Sequence, residues 1–426
     1  MNASILDVIV VGAGHAGLSI SYHLKDHHLS HLVLEKNRIG ETWHNQRWDS
    51  FKLNTPNKWN LLPGQENMFS DPDGFCSAPD FAAFLEEYSV KFQLPVIENC
   101  EVLSVECVPG SNEFSIHATE NGNAKNYRCK QIVIASGGQN IKSIPSFFRN
   151  ISPEIIQLHT SEYRNASALP DGAILVIGSA QSGVQIAEDL IAGDRKVFIS
   201  TSQVPRVPRR YRGKDIVDWL VLTGFYDLQA TEVTDPRIFK MKQPQISTFG
   251  QQGHTLSLQA LSRNGAVILG RTEHTDGVDI YLQPNATTNI RFADEFSEKI
   301  KRMIDDYIQK SQLFAPPPDD DPDDDPDEAS SFAPSITSLS LKENNITTII
   351  WATGVTGDFS YLKLPVFNGN GMPSHNNGIS ETEGLYFLGL PWLRKRKSGI
   401  ILGIEEDAIF ITKQILEHSG NHKQYL

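Results

Sequence analysis

Cysteine is scarce and unpaired in this chain of 426 residues. Its four cysteines, Cys76, Cys100, Cys107 and Cys129, stand in neither a C-x-x-C nor a zinc-ligand spacing. Free thiols in a reducing cytoplasm are therefore expected, and a dithiol–disulfide reductase, which needs a redox pair, is excluded. No stretch reaches the ~18 uninterrupted apolar residues of a membrane span. The apolar run 5–11, broken by Asp7, leads straight into a glycine-rich loop, so a signal peptide is not expected either. Positive charge is short as well: 38 Lys and Arg face 51 Asp and Glu, a net charge of −13 that argues against a general nucleic-acid binder. Much of this surplus is local. Residues 319–328, DDDPDDDPDE, hold seven Asp and one Glu. Alternating Asp and Pro form neither helix nor sheet, so a solvated tether over 315–335 is expected. Calcium binding is the alternative, although the run lacks an EF-hand's glycine and terminal Glu.

Glycine, by contrast, is placed at telling positions. Residues 5–11 read as a buried parallel strand, 18–25 as a helix and 31–36 as a second strand. Between them lies Gly12-Ala13-Gly14-His15-Ala16-Gly17, a G-x-G-x-x-G turn. The first glycine permits the tight turn, and the second lets a pyrophosphate approach the backbone. The third lets helix and strand pack closely, while the helix N-terminus attracts phosphate. Glu35 stands 18 residues after Gly17, where a carboxylate binds ribose hydroxyls, and Lys36 follows it. A further buried strand, 131–136, carries Ala135 and ends in Gly137-Gly138.

The pattern then repeats as strand 173–177, turn Gly178-Ser179-Ala180-Gln181-Ser182-Gly183, helix 184–191 and strand 196–200. The same offset of 18 from Gly183 reaches Thr201, not an acid, and Arg206, Arg209 and Arg210 follow within nine residues. A missing acid with nearby arginines suits the 2′-phosphate of NADP; a solvated basic loop is the alternative. Two such units predict an α/β fold built from two doubly wound, Rossmann-like dinucleotide-binding domains. They also predict two dinucleotides, NADPH as hydride donor and FAD as acceptor.

Other motifs are Ile39-Gly40-Glu41-Thr42-Trp43, Leu53-Asn54-Thr55-Pro56, Trp351-Ala352-Thr353-Gly354 and GLYFLG over 384–389. Together with the two glycine turns they make nearly the whole chain resemble the class B flavin-dependent monooxygenases. This is the family of flavin-containing monooxygenases and YUCCA-type enzymes, and the likeness is greatest to its short bacterial stand-alone members. One family element is half present. His159-Thr160-Ser161-Glu162-Tyr163 supplies the tail of F-x-G-x-x-x-H-[ST]-x-x-Y, but Pro153 and Ile155 stand where Phe and Gly belong. Tyr163 also replaces the Trp that marks Baeyer–Villiger enzymes, which leaves N-, S- or C-oxygenation open. His159 is either a chemical group or a hinge residue.

The resemblance implies that NADPH reduces FAD and oxygen adds at the flavin C4a position. NADP then shields the hydroperoxide, and a small nucleophilic or activated substrate takes its distal oxygen. It implies an FAD domain over 1–155 and 338–426, with an NADPH domain over 156–337 inserted. Gly12, Gly14, His15, Ala16, Gly17, Glu35, Lys36, Thr42, Trp43, Trp48, Ala135, Thr353, Gly354, Gly389 and Gly399 are expected at FAD. Gly178, Ser179, Gln181, Ser182, Gly183, Thr201, Arg206 and Arg209 are expected at NADPH. Asn54 matches the family's active-site Asn and would donate to the peroxide, a routine turn role before Thr-Pro being the alternative. The helix after Lys397-Ser398-Gly399 would turn its positive end to the reduced ring. The cations of 394–397 either add charge there or form a surface cluster. Expected partners are a small molecule and O2, with no nucleic acid, membrane or metal. Two rivals remain: a flavin reductase or NADPH oxidase releasing hydrogen peroxide, and a redox-sensing flavoprotein without turnover.

Overall fold

The computed structural model describes residues 5–66, 69–250, 252–326 and 335–420. Two largely parallel sheets organise it. The first runs in the order Val96–Ile97, His31–Leu34, Leu6–Val11, Asn123–Ile134, Phe114–Glu120, Cys100–Cys107. Strand Asn123–Ile134 is long enough to serve two partners on one edge. Its first half pairs antiparallel with Phe114–Glu120 and its last residues pair parallel with Leu385–Phe387. The central strands are mostly Val, Ile and Leu because both faces are covered. Helices His15–Asp26, Ala78–Lys91 and Ile401–His418 share one core with one face, and residues 359–366 close the other.

The second sheet is fully parallel, in the order Val267–Leu269, Val197–Ser200, Ala173–Ile177, Ile346–Trp351, Ile156–His159. It repeats the first. In each, the strand before the glycine turn lies between the strand that follows the helix and a strand that arrives much later. The second unit is thus inserted between residues 134 and 385 of the first, as the α/β reading anticipates. The expected return at 338 needs correction, however. Strand Ser338–Ser340 pairs with Asp279–Leu282, and Ile346–Trp351 sits inside the second sheet, so the chain leaves that unit only after Trp351.

The two crossings between units run side by side. Val355–Thr356 pairs antiparallel with Ile141–Lys142. His159 anchors them: its Nε2 donates to the Gly354 carbonyl at 3.0 Å, and its Nδ1 accepts from the Ser161 amide at 3.2 Å. Burial lowers its pKa, and both ring nitrogens are engaged in holding the crossing, as a hinge residue requires.

Candidate active site between two glycine turns

The first turn is a cradle made by the absence of side chains. Gly12 has φ +103°, and a Cβ there would come 2.6 Å from the Ala135 carbonyl. A Cβ on Gly17 would strike the Gly12 carbonyl, whereas one on Gly14 would meet nothing within 4 Å. Gly12 and Gly17 therefore answer to packing, and the space above Gly14 is left open at a helix N-terminus. His15 Nε2 is buried there without a hydrogen-bond partner among the described residues, and burial pulls the imidazole down to about 4. Ala16 is backed by Gly389, whose own Cβ would lie 2.8 Å from it. Glu35 follows the second strand as expected. It accepts from the Ala13 amide at 2.7 Å and the Asn37 amide at 3.0 Å, while burial raises its pKa. Lys36 turns outward to Glu101 at 2.8 Å, in a surface pair.

The second turn reproduces the first. A Cβ on Gly178 (φ +112°) would collide with the Ala352 carbonyl, just as Gly12 stands to Ala135. The Ala352 amide bonds the Ile177 carbonyl at 2.9 Å, and the Ala135 amide bonds Val11 at the same distance. The W-A-T-G element therefore ends the closing strand of the second unit, Ile346–Trp351. Thr353 and Gly354, expected at FAD, instead tie the crossing, through Ser143 and His159. Ser179 Oγ accepts from the Ser202 amide at 3.1 Å, and Gln181 and Ser182 open the helix Gln181–Ala192. Thr201 holds the place homologous to Glu35, but its hydroxyl is spent on the Leu269 carbonyl at 2.7 Å and on Asn289 at 3.0 Å.

A single loop joins the turns. It leaves the first where the Gly40 amide bonds the Ala13 carbonyl at 3.2 Å, carries Thr42 and Trp43 on the helix Glu41–Asn45, and reaches the second at Asn54. There Asn54 Oδ1 accepts from Gln185 Nε2 at 3.0 Å and Gln181 Nε2 at 3.4 Å. Trp43 stacks edge-on to Phe81, with centroids 4.9 Å apart. The Arg47 guanidinium lies 5.0 Å from the Trp43 centroid and 5.3 Å from that of Phe51, and burial lowers it to about 10. Trp48 is not a flavin wall: it is a buried knob in the core of the second unit, beside Phe51.

The arginines depart furthest from expectation. Arg206 is 0% exposed and bonds Asp294 at 2.7 Å as well as Asp324. Arg209 bonds Asp215 at 2.6 Å and the Asn54 carbonyl at 3.0 Å, and its guanidinium lies 4.3 Å from the Phe75 ring centroid. Both are internal ion pairs, not phosphate ligands. Asp324 also corrects the tether: it is buried and accepts from Ser297 at 2.9 Å and Lys301 at 2.8 Å. Asp321 accepts from Thr255 at 2.6 Å, and Asp323 pairs with Arg263 at 2.7 Å. Residues 319–326 form a strap across the second unit, and 327–334 lie outside the described residues. The 394–397 cations are mostly neutralised too, Lys395 and Lys397 by Glu406 and Asp227. Gly399, φ +85°, turns the chain tightly over Pro391 before the last helix. Gln185 escaped sequence reading, although its place one turn beyond Gln181 on the same helix face is a signal that could have found it.

The sequence signature of the family described as pyridine nucleotide-disulphide oxidoreductase matches residues 9–234, just over half the chain. The chain belongs to that family. It is 32% identical over 418 residues to the "uncharacterized oxidoreductase CzcO-like" of Geobacillus kaustophilus, covering 97% of this chain and 99% of that one. It is 28% identical over 215 residues to the probable indole-3-pyruvate monooxygenase YUCCA10 of Arabidopsis thaliana, covering 49% and 54%. Among solved structures, a doubly substituted variant of a flavin monooxygenase from Stenotrophomonas maltophilia superposes with a TM-score of 0.67. That match has 18% identity and covers 98% of this chain and 99% of the other. Within this oxidoreductase family the likeness is to the flavin monooxygenases, in keeping with the class B resemblance. All four cysteines are free, and burial pushes Cys76 and Cys129 up to about 12. No described helix is long and apolar enough to cross a membrane, and no described cluster of His, Cys, Asp and Glu could hold a metal.

Proposed function

We propose that the protein is an FAD- and NADPH-dependent monooxygenase that places one atom of O2 on a small nucleophilic or activated substrate. The observation that carries this reading is the loop from Gly40 to Asn54, which begins on one dinucleotide turn and ends hydrogen-bonded to the helix of the other. The first turn suits FAD. Gly14 leaves room for the pyrophosphate, His15 Nε2 has no hydrogen-bond partner among the described residues, and Glu35 stands where ribose hydroxyls need an acceptor. The second turn suits a nicotinamide dinucleotide, and Thr201 brings no carboxylate to repel a 2′-phosphate. Arg206 and Arg209 take no part in that choice.

FAD, when bound and reduced, supplies the oxygen-activating chemistry. The chain's task is to orient two cofactors and keep water out. Arg209 fixes the Asn54 backbone, and Gln181 and Gln185 fix its side-chain oxygen, which leaves the Asn54 amide nitrogen to donate into the junction. Product analysis with labelled O2 across amines, sulfides, indoles and oxo acids tests the reading. One labelled oxygen in product, with NADPH consumed in step, is expected. NADPH oxidation ending wholly in hydrogen peroxide would make the protein an oxidase. Asn54→Ala should leave NADPH-driven flavin reduction intact and shift the outcome from product to peroxide by ~100-fold, the usual loss for one charge-stabilising donor. Full coupling in that variant would return Asn54 to a turn role.

A further inference from the structure

Four consecutive cations precede the last helix, and three are neutralised. Arg394 reaches Asp407 at 3.5 Å, Lys395 pairs with Glu406 at 2.8 Å and Lys397 with Asp227 at 2.9 Å. Arg396 has no carboxylate partner among the described residues. Its guanidinium lies 3.8 Å from the Phe225 ring centroid and 5.4 Å from that of Trp392. Its side chain's one hydrogen bond among the described residues is a 3.4 Å contact with the Phe225 carbonyl. Burial lowers its pKa, yet the π-faces favour the charged form and most of its five donors stay unused.

The Tyr226 hydroxyl makes no hydrogen bond among the described residues, and it lies within electrostatic reach of Asp215, Arg209 and Arg396. Asp215 is already paired with Arg209, itself bonded to the Asn54 carbonyl, so Arg396 is the cation left over. Phe239 meets Trp392 edge-on at 5.1 Å and is 42% exposed, so the aromatic wall continues to solvent. Each unit contributes one wall. The Arg396 amide bonds the Leu228 carbonyl at 3.0 Å, and the Ala230 amide bonds the Arg394 carbonyl at 2.8 Å. Arg396 and Phe225 therefore meet where the two units dock.

We infer that Arg396 and Tyr226 form an anion-binding recess that takes the carboxylate of an amphipathic substrate, with its apolar body against Phe225 and Trp392. That this ligand is the substrate rests on the monooxygenase reading; the recess itself does not. A planar fork matches a carboxylate, and aromatic walls match an aryl or alkyl body. One uncompensated cation matches one negative charge, whereas a phosphate dianion collects several donors. A free amine would meet repulsion from Arg396.

Calorimetric titration of the flavin-loaded protein with 3-phenylpropionate, its neutral amide and 3-phenylpropylamine tests this. The acid should bind at least ~10-fold tighter than the amide, the effect of a hydrogen bond to a charged group, and the amine weakest. Arg396→Met should bring acid and amide to within ~2-fold of each other, with Arg396→Lys intermediate. Flavin content, thermal midpoint and NADP affinity should hold in both. If Arg396→Met misfolds, Tyr226→Phe supplies the second test and should lose ~3-fold or more for the acid alone. Equal affinity for acid and amide in the parent, or no binding of the acid up to ~10 mM, would overturn the proposal. Loss of NADP affinity in Arg396→Met would also overturn it, since the anion would then be the cofactor's. Should acid discrimination persist while no labelled oxygen reaches product, the monooxygenase reading falls and the recess stands.

Discussion

Deleting one carboxylate from the acidic run decides between strap and tether. Asp324→Ala removes the acceptor of Arg206, of Ser297 Oγ at 2.9 Å and of Lys301 Nζ at 2.8 Å. Arg206 is 0% exposed and retains Asp294 at 2.7 Å, so its charge is not wholly orphaned. Lys301 retains Glu298. Removing one partner of a buried pair costs ~3–5 kcal/mol, and the surviving Asp294 places the loss near the lower bound, about 3 kcal/mol. In a unit of ~200 residues, each kcal/mol moves Tm by ~2–4 °C, so a fall of ~6–12 °C is expected. Tryptophan fluorescence reports it, because Trp219 shares a core with Ile300 and Ile304 of the helix that the strap clamps. Burial alone would raise the Asp324 pKa, but Arg206 and Lys301 outweigh burial and hold it low. Its stabilisation is therefore complete above the ordinary carboxylate value near pH ~4 and disappears as pH falls through the depressed folded value. The gap between parent and variant should close in that acidic window. Asp320→Ala, at an exposed position, is the control. An unchanged Tm in Asp324→Ala at neutral pH would refute the strap.

The glycine cradle makes opposite demands on neighbouring positions. Gly17→Ala should fail to fold stably because its Cβ strikes the Gly12 carbonyl, while Gly14→Ala should fold with an unchanged Tm yet retain at least ~10-fold less flavin, measured by absorbance after desalting. Glu188 bonds His254 at 2.6 Å and raises its pKa, so this pair stabilises fully below the unfolded His value of ~6.5 and fades as pH rises through the folded one. Glu188→Gln should accordingly lose ~0.5–1 kcal/mol near pH 6 and less above pH ~8, read by denaturant titration at both; an equal loss at both pH values would refute the pairing. Thiol titration of the native protein should find one fast cysteine, exposed Cys107, and three slow ones that react only on unfolding.

Features that act within one supersecondary unit were legible in the residues. Both glycine turns, their strands and the position of Glu35 lie within ~30 residues, and local sterics dictate them. The fold class followed from their repetition. What escaped is non-local. Thr201 resembles a bare slot until Asn289 arrives from a helix 88 positions on. Arg206 and Arg209 look like phosphate ligands until Asp324, Asp294 and Asp215 are brought to them. Composition marked 319–328 as solvated, since like charges repel, yet cationic and hydroxyl partners on the second unit reverse the sign of that argument for Asp324. Ile346–Trp351 is an apolar run, and an apolar run does not say which parallel neighbour it joins.

That late strand has a consequence for how the molecule comes into being. Each sheet is finished by a segment far downstream, Ile346–Trp351 for the second and Leu385–Phe387 for the first, and helix Ile401–His418 covers the first helix only at the end. A ribosome adding ~5–20 residues per second gives the Ala173–Ile177 strand its neighbour Val197–Ser200 soon, but leaves its other edge open for many seconds before Ile346–Trp351 emerges. The inserted unit closes first on the nascent chain, and the unit that began synthesis closes last. Until then the open edges invite chaperone capture, and a premature stop ahead of Ile346 leaves both sheets unfinished together.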